Sequence, residues 1–289
     1  GFYVDFNTNT DAVLMCIRSL LQDKVEIARK RGVTIAPDAW PTTGLPCEIT
    51  FDKGKDFMGE RTKELCELFN IEITNLPAYR PDLKGCVERA FGEVQGMYMN
   101  LLHGHGTYEK VNTRLGLNSM HSTPCLDIDE YINILMYCIA DYNSSAIIHG
   151  TRTPEMIAEQ VPPVPTHIWN WMEKKGRTKV IRGNNAELSL MLLPRAVASI
   201  TRRGLVFRGL RYHTDLLDMT KEYVSAGVNG WKKVNIAYDM QCTVYVYLLQ
   251  NGKYIRFNLI DRNTFTGLPF QEVEIIRHEE NQMRKSLTL

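Results

Sequence analysis

Two runs rich in β-branched and aromatic residues, Thr243-Val244-Tyr245-Val246-Tyr247-Leu248 and Tyr254-Ile255-Arg256-Phe257-Asn258-Leu259, flank Gln250-Asn251-Gly252-Lys253. Asn-Gly tolerates the positive φ angles of a two-residue reversal, so this stretch predicts a tight antiparallel hairpin. Leu205–Tyr212 reads as a further strand and Val234–Tyr238 as another. Short strands repeated at this density predict a small β-barrel.

The first half of the chain follows a different period. Ala12, Val13, Met15, Cys16, Ile17, Leu20 and Leu21 predict a helix from Thr10 to about Lys24, and Tyr131 through Tyr142 predict another over about Asp129–Asn143. Between them, Cys47–Asp52 reads as a strand, residues 57–69 as a helix and Ile71–Thr74 as a strand. Pro77, Arg80 and Pro81 then break regular structure before a helix that begins near Glu88. The fold class is therefore α/β followed by all-β. Val161-Pro162-Pro163-Val164-Pro165 cannot continue a helix and marks the exit from the first domain. The expected division is a core over 1–160, a proline-rich and basic linker over 161–186, a barrel over 187–270 and a charged tail over 271–289, disordered or docked to a partner.

A length of 289 residues and 44% hydrophobic content suffice for one large or two modest cores. No apolar run reaches the roughly 18 residues of a membrane span, and no export signal is visible. Cys16, Cys47, Cys66, Cys86, Cys125, Cys138 and Cys242 are scattered and form no C-x-x-C pair, a pattern that fits free thiols in a reducing cytoplasm. Net charge is only +1, but Lys174, Lys175, Arg177, Lys179 and Arg182 cluster within ten residues, and Arg195, Arg202, Arg203, Arg208 and Arg211 form a second set. Such clusters track phosphates in DNA-binding proteins and are solvated faces in most others.

Asp52 stands at a strand tip before Lys53-Gly54, and Glu88 stands where a loop becomes a helix. Singly, the first is an ordinary turn residue and the second an ordinary first-turn acid. Together they are two hard oxygen donors on rigid elements, able to share a divalent cation. Val87, Phe91 and Val94 are spaced to pin the helix of Glu88 to a core. Lys53, Arg80, Lys84 and Arg89 flank the acids and are candidates for binding phosphates, or equally for balancing the acids. His103 and His105, set among glycines, read as a loop rather than a metal site.

Phe51-Asp52-Lys53-Gly54 and Tyr79-Arg80-Pro81-Asp82-Leu83-Lys84-Gly85-Cys86-Val87-Glu88-Arg89 resemble the DDE family of transposases and retroviral integrases. Gly1–Val4, Trp40–Pro46, Trp169-Asn170-Trp171 and Leu192–Arg195 are similar to its TnsB subgroup, from Tn-seven-like elements including CRISPR-associated ones. The resemblance implies a ribonuclease H-like core, here without its first strands, and a barrel of the Mu-transposase type. It implies Asp52 and Glu88 as catalytic metal ligands for two Mg²⁺ ions, with Mn²⁺ as the alternative. The third carboxylate of the family is expected upstream of residue 1, because Gly1–Phe6 reads as the third strand of the opening meander. Asp5 is the local substitute, and its place on that strand argues against it.

The implied activity is metal-dependent strand cleavage at transposon ends and transfer of the 3′ hydroxyls into target DNA, with this stretch alone inactive. The implied partners are DNA, further copies of the chain on that DNA, a transposition ATPase and an endonuclease subunit, in a bacterial cytoplasm. A ribonuclease H-type nuclease and a non-catalytic DNA-binding or assembly module are the competing readings.

Overall fold

The computed structural model describes residues 1–5, 9–51, 59–75, 85–102, 126–260 and 265–287. Its contacts divide the chain into two units, Gly1–Asn185 and Ala186–Leu289.

In the first unit, α1 (Thr10–Ser19) starts at Asn9, whose side chain accepts the Ala12 N–H, and α2 (Lys24–Lys30) starts at Asp23, which accepts from Val25 and Glu26. The helix expected from Thr10 to about Lys24 thus ends at Ser19, and a second helix begins at Lys24. Asp23 competes for the backbone donors of the next turn and caps a new helix there. The ammonium of Lys24, 1% exposed, then donates to the carbonyls of Leu20 (3.1 Å) and Thr42 (2.6 Å), closing the break against the loop that holds Trp40.

β1 (Leu45–Pro46) pairs antiparallel with β4 (Val180–Ile181). β2 (Glu48–Phe51) runs parallel to β3 (Glu72–Asn75), from Glu48 opposite Glu72 to Phe51 opposite Asn75. Parallel neighbours require a crossover, which includes α3 (Glu60–Leu68), with Leu65 and Cys66 buried. α4 (Gly85–Leu102) packs on α5 (Ile128–Ser145), which opens with a reciprocal cap between Asp127 and Glu130. Of Gly1–Phe6, expected as a strand, the described residues 1–5 form no strand with another described residue. The Phe2 N–H donates instead to Ser19 Oγ at 2.8 Å, and Phe2 and Val4 pack beside Ala28, Ile132 and Met136.

The proline-rich stretch expected as a linker carries structure. α6 (Pro154–Ala158) and α7 (Pro165–Lys174) enclose a small core of Met156, Val161 and Trp171. Pro154 and Pro165 open these helices, where a missing N–H costs nothing. The division between units falls at the start of α8 (Asn185–Met191).

The second unit is a closed six-stranded antiparallel barrel. Its strands are β5 (Arg195–Thr201), β6 (Gly204–Phe207), β7 (Leu210–His213), β8 (Lys232–Asp239), β9 (Cys242–Gln250) and β10 (Lys253–Leu259), in the order β10-β7-β6-β5-β8-β9. The Asn251-Gly252 hairpin forms as expected: Gln250 pairs with Lys253, and φ is 51° at Asn251 and 72° at Gly252. Leu205–Tyr212, expected as one strand, is a second hairpin that reverses at Arg208 (φ 45°) and Gly209 (φ 75°). α9 (Leu217–Asn229) contributes Met219, Tyr223 and Ala226 to the barrel core. Residues expected as a charged tail form α10 (Phe270–Leu287), which contributes Phe270 and Val273.

Candidate active site and basic cluster

β2 ends at Phe51, so the next residue, Asp52, follows the strand directly; Asp52 itself lies outside the described residues. Lys53, Arg80, Lys84, His103 and His105 lie outside them as well. Glu88 occupies the first turn of α4, where the helix dipole favours an anion, and it is exposed, as is Arg89. The expected packing of its neighbours is not found. Val87 is 54% exposed and Phe91 73% exposed, so these side chains do not pin the helix to a core. Helical spacing names a common face but not whether anything covers it, and α4 meets α5 through other residues, with Tyr98 edge-on to Tyr131 at 5.7 Å.

A cleft of about 710 Å³ lies between α1, the amino-terminal segment, β2 and the start of α4. Phe51 and Val87 both line it, bringing together the positions next to Asp52 and Glu88. Asp5 and Glu48 line it too, and Glu48 accepts the Thr74 hydroxyl at 2.7 Å across the β2–β3 pair. Sequence reasoning passed over Glu48, although it stands on the same strand as the residues before Asp52. Among the described residues, no three Asp, Glu, His or Cys side chains gather as metal ligands.

Three cations of the basic stretch are engaged by acids. Lys175 lies 2.6 Å from Glu159 and 3.6 Å from Glu155, Arg177 pairs with Glu155, and Arg182 pairs with Glu173. Trp171 organises this network: its indole N–H donates to Glu159 at 2.8 Å, while Lys175 and Arg177 lie 5.3 and 5.2 Å from its ring centroid. Hydrogen bonds from Arg177, Lys175 and Arg182 hold the carboxyls of Glu155, Glu159 and Glu173, respectively, below the ordinary glutamate range. Lys174 and Lys179 form no ion pair among the described residues.

Residues 1–104 match the TnsB C-terminal domain family, and residues 189–256 match the C-terminal domain family of Mu transposase. The second match falls on the barrel. The chain is 27% identical over 287 residues to the Transposon Tn7 transposition protein TnsB of Escherichia coli, a match covering 97% of this chain and 40% of that protein. The chain is thus similar to TnsB over nearly all of its own length and spans about two fifths of that relative's. No helix among the described residues is long and apolar enough to cross a membrane.

Proposed function

We propose that this chain belongs to a DNA transposase that cuts strands at transposon ends and joins the freed 3′ hydroxyls to target DNA, using a ribonuclease H-like core. The observation that carries the reading is the shared cleft: Phe51 and Val87, the immediate neighbours of Asp52 and Glu88, line one cavity although they are far apart in sequence. The donor chemistry fits Mg²⁺, since the acids in and beside the cleft offer only oxygen. Asp52 and Glu88 would hold the ion. When bound, it would balance the charge of the transferring phosphoryl group and activate the attacking oxygen.

The chain's own contribution is placement. β2, in a parallel pair, ends at Phe51, the residue before Asp52, and α4 carries Glu88 in its first turn. Lys53, Arg80, Lys84 and Arg89 are assigned to phosphates near the reacting one. Lys174 and Lys179 are the members of the basic stretch with charge left for a phosphate backbone. The same reading assigns as partners further copies of the chain, a transposition ATPase and an endonuclease subunit.

The test is a metal-dependent oligonucleotide-joining assay on full-length protein carrying Asp52→Asn or Glu88→Gln. Each substitution should abolish joining while DNA binding persists. Joining that survives both would remove these residues from the site, and hydrolysis without joining would favour a nuclease.

A further inference from the structure

The outer wall of the barrel over β8, β9 and β10 carries an organised aromatic and cationic surface. Val246, Leu248, Phe257 and Leu259 are buried in the core, so the alternating positions Tyr245, Tyr247, Tyr254 and Arg256 face outward. The rings form a continuous set: Tyr245 to Tyr247 is 5.4 Å and Tyr247 to Tyr254 is 6.4 Å, both edge-to-face. Arg256 stacks over Tyr245 at 4.4 Å, with its Nε–H donating to Asn258 at 3.0 Å, which fixes the guanidinium plane.

Across the strands, register places Tyr247 opposite Arg256 and Tyr245 opposite Asn258, so these side chains share one face. Lys233 adds an exposed cation on β8, two positions from the exposed Asn235. Asp239 is the one acid on the six strands; it is buried and accepts the Gln241 N–H at 3.1 Å. Lys233 and Arg256 make no ion pair with a described carboxylate, unlike Lys232 and Arg208, which pair with Glu222 and Glu274.

We propose that this face binds single-stranded DNA, the tyrosines stacking on unpaired bases while Lys233 and Arg256 meet phosphates. A duplex hides its base faces and would use only the cations; a strand with exposed bases uses both components. The proposal takes its ligand class from the transposase reading but uses a surface remote in sequence from Asp52 and Glu88, and it stands or falls separately.

The test is fluorescence anisotropy of the 289-residue chain with a labelled oligo(dT), an abasic strand of equal length and a duplex. Oligo(dT) should bind more tightly than the abasic strand. Tyr247→Ala and Tyr254→Ala should each weaken oligo(dT) binding by about 5- to 100-fold while leaving duplex binding unchanged, and Tyr247→Phe should retain it. Arg256→Gln should reduce the magnitude of the salt slope on oligo(dT) by about one phosphate's worth. Equal affinity for the abasic strand, which needs no variant, would overturn the proposal, as would unchanged oligo(dT) binding by folded alanine variants. Either failure leaves the joining test of Asp52 and Glu88 unaffected.

Discussion

The Arg208 guanidinium lies 3.1 Å from the Glu274 carboxylate, tying the β6–β7 turn to α10. Arg208 also donates to the Tyr238 hydroxyl at 3.1 Å and sits over the rings of Phe207, Tyr238 and Phe270 at 5.2–5.8 Å. These contacts offset the strain of a non-glycine residue at φ 45°.

Arg208→Ala removes the stacking, the hydroxyl bond and the ion pair while keeping a side chain at positive φ. It should destabilise the barrel by about 1–3 kcal/mol. Glu274→Gln removes only the exposed ion pair and should cost less than about 1 kcal/mol. Urea unfolding of both variants tests the ranking, and equal losses would show that the ion pair, not the rings, holds the turn.

Burial lowers the Lys24 ammonium from its ordinary 10.5 to about 8. Above pH 8 the folded chain releases this proton while the unfolded chain still holds it. The unfolded state then binds more protons, so Lys24's contribution to stability rises from about pH 8 toward 10.5. Thermal melts across this window should show the rise in the parent and its loss in Lys24→Met. Parallel pH profiles would contradict the buried-cation account.

Glu155, Glu159 and Glu173 behave in the opposite sense. Their folded values lie below the ordinary 4.5, because cations donate to the ionised form. Their stabilisation is present above that value and disappears as pH falls through the folded values. The Glu155→Gln, Glu159→Gln, Glu173→Gln triple variant should therefore show a flatter acid limb in its stability profile. Trp171→Ala should cost about 3–5 kcal/mol at neutral pH, since it also empties the small core of Met156 and Val161.

Lys174 and Lys179 separate phosphate binding from structure. Neutralising both with Gln should reduce the magnitude of the salt slope of DNA binding by about two and leave the melting temperature unchanged. Neutralising Lys175 and Arg177 should lower the melting temperature, because each releases an acid and a face of Trp171. An unchanged slope after the first pair would remove this stretch from the DNA interface.

The chain's own order of residues determined what depends on near neighbours. Asn251-Gly252 specifies a hairpin because its φ angles are local, and the alternation on either side specifies which face of the barrel each residue joins. The strand that ends at Phe51 and the first turn of α4 were legible for the same reason, as a strand end and a helix start. Tertiary structure decided the rest. Arg208-Gly209 turns because Glu274 and Phe270, distant in sequence, hold the arginine in place. The cationic stretch is partly neutralised by Glu155 and Glu159, which precede it by a helix and a loop. Val87 and Phe91 have core spacing yet remain exposed, because periodicity aligns side chains on a face and only packing partners can bury it.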